Sequence, residues 1–271
     1  MRKKIFTVAM IAGCLMLAAC GKDKKNEKPT PSTAPTSAVT DAPKATKEVT
    51  PEPTKALEPL SYSNEMETLS CKAGDTEVLT SQIIYPVFTG ENAEKFNAFV
   101  KQLVDDFKAE FEKEQEPAIK DFEEGLAETI EFPEYDNFQI ALTTNLNKQY
   151  LCFFASRHTY AGGPHPNSLH YGYVVDRQTA KEIRLSEYLA PYDLSEYDAA
   201  YYAAERFKLN YENPEEVFDV DDLSGALLNL IGQHKWYLND DGLIIFADPY
   251  DVAAYAYGMI AATITKPELE V

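Results

Sequence analysis

The sequence predicts an α+β domain: an antiparallel sheet built from hairpins, packed with one long amphipathic helix and shorter C-terminal helices. Three observations predict it. Apolar and polar residues alternate in several runs separated by turn signals, as at Phe138–Asn145 and Gln149–Tyr160. From Ala93 to Phe111 the apolar spacing changes to three- and four-residue steps. Shorter helical patterns then intersperse the later hairpins, which is the arrangement of α+β folds. The 212 residues from Leu60 to Val271 suffice for one core or two intimately packed halves, about 60–165 and 166–271.

The elements follow in order. Leu60–Ser70 and Val78–Phe88 read as strands around a Gly74-Asp75 turn. Ala93, Phe96, Phe99, Val100, Leu103, Phe107 and Phe111 share one helix face, with Asp106, Glu110 and Glu112 on others. Pro117 is expected to interrupt this helix, with Ile119, Phe122 and Leu126 continuing as a short second segment. Phe138–Asn145 and Gln149–Tyr160 form a hairpin through Asn147-Lys148. Leu169–Asp176 and Glu182–Leu185 read as strands around Arg177-Gln178-Thr179, and Ser186–Leu189 as a short turn. Helices are expected from Ser195 or Glu196 to Tyr211, and over Ser224–His234. Trp236–Leu238 and Leu243–Phe246 pair across Asn239-Asp240-Asp241-Gly242, a strong hairpin signal. Asp248 then caps a short helix with Pro249 first and Gly258 just past its end, before a last strand Met259–Ile264.

The N-terminus has a different grammar. Arg2, Lys3 and Lys4 precede an apolar run from Ile5 to Ala19, which ends in Leu17-Ala18-Ala19-Cys20. This is the layout of a secretory signal over residues 1–19. The run is shorter than the roughly 20 residues needed to span a bilayer, which weighs against a retained membrane helix. It matches the lipobox of bacterial lipoproteins at every position. That resemblance implies cleavage before Cys20, lipidation of its thiol with diacylglycerol and palmitate-type chains, and residence on the extracytoplasmic face of the cell membrane. With four residues before the apolar run, no cytoplasmic domain is expected. Residues 20–59 are rich in Pro, Thr, Ala, Ser and Lys, with only Val39, Val49 and Leu57 large and apolar. Such a stretch cannot offset chain entropy, so a disordered linker is expected, reaching on the order of 120 Å if extended.

Charge narrows the partner classes. The whole chain carries −19. Loss of Arg2, Lys3 and Lys4 leaves −22, and the linker's seven lysines and six acids leave −23 on the domain after Pro59. A field of that size repels nucleic acid, anionic wall polymers and anionic lipid, and favours cationic partners. The same acidity also serves plain solubility. Cys71 and Cys152 remain in the expected extracytoplasmic domain, where the sequence permits a disulfide between them or two free thiols.

No catalytic pattern stands out, and the sequence predicts no enzyme, no metal and no cofactor. His158, His165 and His170 lie seven and five residues apart, which is no zinc spacing. No Gly-x-Ser-x-Gly, His-Glu-x-x-His or phosphate loop occurs. A glycosidase-type carboxylate pair cannot be singled out in so acidic a chain, so an unrecognised hydrolase stays the least favoured reading.

Gly162-Gly163-Pro164-His165-Pro166-Asn167 lies between two strands, its glycines free to take positive φ and its prolines stiffening the backbone around His165. Near the C-terminus stand Trp236-Tyr237-Leu238, Asp240–Leu243, Phe246, Pro249-Tyr250 and Ala253–Gly258. Together these resemble the extracellular domain of RsiV-type anti-sigma factors and the accessory domain of PdaC-type peptidoglycan deacetylases. The resemblance spans about Leu60 to the end and is sharpest at 160–167 and 236–258. It implies a sensor or accessory module, since the sigma-binding segment and the catalytic domain of those proteins have no counterpart here. It also implies a lysozyme-like, cationic ligand, with peptidoglycan as the alternative. The candidate partner-binding residues are Tyr160, His165, Asn167, Tyr250, Tyr255 and Tyr257. Tyrosines offer contact area with a polar tip at low entropy cost, and equally can plug the end of a sheet. His165 can likewise serve the loop's own backbone.

Overall fold

A long hairpin opens the domain: β1 (Leu60–Ala73) pairs antiparallel with β2 (Thr76–Gly90) across Gly74, whose φ of 62° suits glycine. The computed structural model describes residues 59–90, 92–125, 132–146 and 148–270. The expected signal, Cys20, the linker up to Glu58, Leu126 and Asn147 lie outside the described residues.

The helix α1 (Ala93–Glu123) follows, and then β3 (Glu134–Leu142), β4 (Tyr150–Tyr160), β5 (Asn167–Asp176) and the two-residue β6 (Lys181–Glu182). These strands form a six-stranded sheet in sequential order. One pairing differs from an all-hairpin sheet: β2 and β3 run parallel, with Leu79 opposite Glu134 and Ile83 opposite Phe138. The cause is α1, which carries the chain back across the sheet so that β3 enters in the direction of β2. The side chain of Asn97 fixes α1 to the end of β2, accepting from the Phe88 amide at 2.7 Å and donating to the Phe88 carbonyl at 3.0 Å.

Beyond the sheet come α2 (Leu185–Leu189), α3 (Glu196–Leu209), α4 (Pro214–Val217) and α5 (Leu223–Ile231). Ser195 and Asp198 form a reciprocal capping box at the start of α3. The strands β7 (Trp236–Leu238), β8 (Gly242–Ala247) and β9 (Ile260–Thr265) make a separate three-stranded antiparallel sheet, and α6 (Lys266–Leu269) ends the described chain.

Two cores lie on opposite faces of the large sheet. Alternation along β4 shows the division: Leu151, Phe153 and Ala155 pack with Phe96, Val100, Phe107 and Phe111 of α1, while Cys152 packs with the helices and small sheet on the other side. Each fully buried Phe or Leu contributes about 1.5–3 kcal/mol of transfer free energy. On α3 the buried face is Ala199, Ala200, Ala203, Ala204 and Phe207. Such small residues let the helix lie close to α5 and β9. The large sheet runs on to Glu182.

Several sequence expectations are corrected. α1 runs unbroken through Pro117, because the buried Phe111 and Ala118 hold the helix on both sides of the lost hydrogen bond. Leu185 begins a helix rather than ending a strand, with the Glu187 carboxylate accepting from the Arg184 amide at 2.8 Å. No α-helix forms between Asp248 and Gly258. The Asp219 amide donates to the Val252 carbonyl at 3.1 Å, and Ala253 bridges Phe218, so this backbone is held extended. Only a 3-10 turn over Tyr255–Tyr257 follows, closed by Gly258.

Cys71 and Cys152 are both buried free thiols, and no disulfide joins them. They pack in different cores, on opposite faces of the sheet. They also sit on β1 and β4, three strand spacings apart, which is roughly 14 Å and well outside disulfide reach. Burial pushes the Cys152 thiol up to about 12.

Candidate functional site

The loop between β4 and β5 is folded by its own chemistry. Gly162 and Gly163 take φ of 82° and 101°. The Tyr160 hydroxyl donates to the Gly163 carbonyl at 3.1 Å. His165 Nδ1 lies 3.0 Å from the Pro166 carbonyl, which can only accept, so Nδ1 carries the proton. In the neutral ring Nε2 is then an acceptor, and the Tyr250 hydroxyl donates to it at 3.3 Å.

Three rings meet there. His165 stacks on Tyr255 with centroids 3.6 Å apart at 14°. Tyr250 and Tyr255 lie 5.6 Å apart at 37°, and the Tyr255 hydroxyl donates to the Pro166 carbonyl at 3.0 Å. Tyr250 is 62% exposed. Its φ of 73° is unusual for a residue with a side chain and aims the ring outward from the 248–251 turn. The sequence places these residues about 85 positions apart, and the fold makes one surface patch of them, with His165 and Tyr255 half-buried beside the exposed Tyr250.

A buried charged cluster holds the patch in place. Asp248 accepts from the His170 amide at 2.8 Å, from His170 Nδ1 at 2.6 Å, and from the Lys235 ammonium. Lys235 also donates to the His170 carbonyl at 2.8 Å and lies 4.9 Å from the centroid of the Tyr171 ring. Burial pushes the Asp248 carboxyl up, but hydrogen bonds from His170 and Lys235 outweigh it and hold the group below its ordinary value. Nearby, burial and then His170 lower His158, whose Nδ1 lies 2.8 Å from the Ser168 hydroxyl. The Asp251 carboxylate accepts from the Asp248 amide at 2.7 Å and closes the turn. These contacts tie the segment bearing Tyr250 and Tyr255 to β5 beside the His165 loop.

The remaining candidates lie elsewhere. Tyr257 packs edge-on against Tyr211, with centroids 5.6 Å apart. Tyr160 stacks on Tyr135 at 5.8 Å, and together with Asn167 these residues line a cleft beneath the loop. Sequence reasoning missed Lys235, weighed His170 only as a metal ligand, and read Asp248 only as a helix cap. One signal was available: a lysine directly before the apolar strand Trp236–Leu238 must either reach solvent or find a buried anion. Among the described residues no group of three His, Cys, Asp or Glu side chains is arranged to hold a metal ion.

The comparisons agree with this architecture. Residues 72–168 match the family described as Deacetylase PdaC, and residues 179–266 match a protein family of unknown function, DUF3298. No curated protein matches the chain. A DUF3298 family member from Bacteroides fragilis has a similar fold, with a TM-score of 0.53 at 14% identity, covering 79% of this chain and 92% of that one. A DUF3298 family protein from Pseudomonas aeruginosa aligns at 14% identity over 78% of this chain and 92% of its own, with a TM-score of 0.46. The matched regions are of accessory or unknown-function type, which suggests an extracytoplasmic accessory or binding module. In this order the two matches fit a PdaC/RsiV-like domain.

Proposed function

We propose that this protein is a lipid-anchored, extracytoplasmic module that captures or senses a cationic wall-active protein such as lysozyme. The observation that carries the reading is the surface cluster of three rings, the exposed Tyr250 and the half-buried His165 and Tyr255, on a rigid, internally bonded backing. Rigid aromatic side chains lose little entropy on binding, which is why they recur as interface hot spots. The −23 charge of the domain supports the choice of a cationic partner. The Leu17–Cys20 lipobox supports the anchor.

The test is a binding measurement on the full-length protein, with lysozyme set against purified peptidoglycan. Tyr250→Ala and Tyr255→Ala are expected to weaken lysozyme binding by about 1–3 kcal/mol while keeping the melting temperature. Unchanged affinity in both variants and in His165→Ala would place the ligand off this surface. Anchoring has its own test. Cys20→Ala should abolish labelling by a palmitate analogue, and undiminished label would refute lipidation at this cysteine.

One observation favours the peptidoglycan reading. A cleft of about 310 Å³ is lined by Tyr150, Tyr188 and Tyr192 with Asn239, Lys148 and Lys266, a mixture that suits an anionic glycan. Retention of peptidoglycan with no binding of lysozyme would move the function there.

A further inference from the structure

Beneath the His165 loop, between α1 and the paired ends of β3 and β4, lies a cleft of about 260 Å³. Its lining includes Glu114, Glu134, Tyr135, Asp136, Arg157 and Tyr160. Glu134 is only 5% exposed, and its Oε1 is buried with no hydrogen-bond partner among the described residues. A buried, unpaired carboxylate oxygen is costly, and folded proteins rarely keep one without a use. Burial, followed by the nearby Asp121 and Glu114 charges, pushes the Glu134 carboxyl up.

The other charges of the cleft are already committed. Arg157 grips Asp136 with two hydrogen bonds, Nε to Oδ1 at 2.9 Å and a terminal nitrogen to Oδ2 at 2.7 Å. The same guanidinium stands 3.8 Å from Glu114. The cleft therefore holds three carboxylates against one guanidinium, and among the described residues Oε1 of Glu134 has no donor. The stacked rings of Tyr135 and Tyr160 add a flat aromatic wall. A group that completes this site carries several N–H donors, a positive charge and a planar face. A guanidinium has all three: it pairs with carboxylates through a fork of N–H groups and stacks on tyrosine.

We propose that this cleft receives an arginine side chain of the cationic partner, with the guanidinium donating to Glu134 and lying against Tyr135 and Tyr160. The proposal deepens the reading of the protein as a receptor for a cationic protein and rests on it. The cleft adjoins the aromatic patch, since Tyr160 bonds the Gly163 carbonyl of the loop that carries His165. The two features then act as one surface, in which the patch supplies contact area and the cleft supplies a charge-specific anchor.

The experiment titrates the full-length protein with acetyl-arginine amide and, separately, with its neutral citrulline analogue, followed by NMR shifts of Tyr135 and Tyr160. The arginine amide is expected to bind in the millimolar range, and the citrulline analogue at least tenfold more weakly. Glu134→Gln is expected to weaken the arginine amide at least tenfold while melting no lower than wild type, because a buried charge has been removed. Glu114→Gln, at a side chain 51% exposed, gives a second reading that does not depend on the buried site tolerating change, and should weaken the probe a few-fold. Equal binding of the two probes, or an unchanged affinity in Glu134→Gln, overturns the proposal. The two hypotheses fail separately. If lysozyme binds and the arginine amide does not, the cleft assignment falls and the capture reading stands. If the arginine amide binds through Glu134 and lysozyme does not bind, the lysozyme reading falls and the cleft remains.

Discussion

Asp248 accepts three hydrogen bonds in a site it shares with the buried ammonium of Lys235. Asp248→Asn keeps the shape of this residue and removes its charge, which leaves Lys235 buried without a counter-ion. Breaking a buried pair in this way costs about 3–5 kcal/mol. The sign with pH follows from the lowered carboxyl. A group whose folded pKa is depressed stabilises the fold above its unfolded value, and that stability is lost as pH falls through the folded value. Urea unfolding should therefore show a large gap between wild type and Asp248→Asn at pH 7, closing in strong acid. A gap that is absent at pH 7 would mean that Lys235 has found another anion. Because Tyr250 and Tyr255 flank this cluster, the variant should also lose affinity by misplacing them.

At the scale of elements, β5 and β7 approach so closely that one position has no alternative. The Gly172 amide donates to the His234 carbonyl at 2.7 Å, and a Cβ on Gly172 would stand 1.9 Å from the Trp236 carbonyl oxygen. Gly172→Ala must push the small sheet off the large one, and is expected to destabilise by more than about 4 kcal/mol. Gly163→Ala meets open space and bears only the strain of its φ of 101°, about 1–3 kcal/mol. Thermal unfolding of the two variants distinguishes steric exclusion from backbone strain. Comparable small losses in both would remove the close approach as a constraint.

The same elements show what the sequence made legible. Strands β1, β4, β5, β7 and β8 follow from local pattern and turn signals, although β1 is mostly exposed and β4, β5 and β8 bury both faces; helices α1, α3 and α5 follow from periodicity, because each buries one face against a core. The parallel β2–β3 pairing does not, because a strand's pattern fixes its faces and not the direction of its neighbour. The Asp248-Pro249-Tyr250-Asp251 run carries a helix-cap signature, yet the backbone just after it, at Val252 and Ala253, is taken by Asp219 and Phe218, and the Asp248 carboxylate by His170 and Lys235. Those partners are distant in sequence, so no local rule could find them. His165, Tyr250 and Tyr255 converge in one patch, whereas Tyr160 and Asn167 belong to the cleft below and Tyr257 to the Tyr211 contact.

For the whole molecule the governing quantity is charge. A domain at −23 attracts a cationic protein over distances longer than any contact, and exposed charges are screened beyond about 8 Å at physiological ionic strength. Association should then be fast in low salt and slow as salt rises, while dissociation depends on short-range packing at the patch. The most direct measurement is the rate of lysozyme association and dissociation across ionic strength, for wild type and Tyr250→Ala. The account predicts an on-rate that falls at least tenfold from low to high salt in both proteins, with faster dissociation confined to Tyr250→Ala. An on-rate that stays flat, or no binding at low salt, would contradict it.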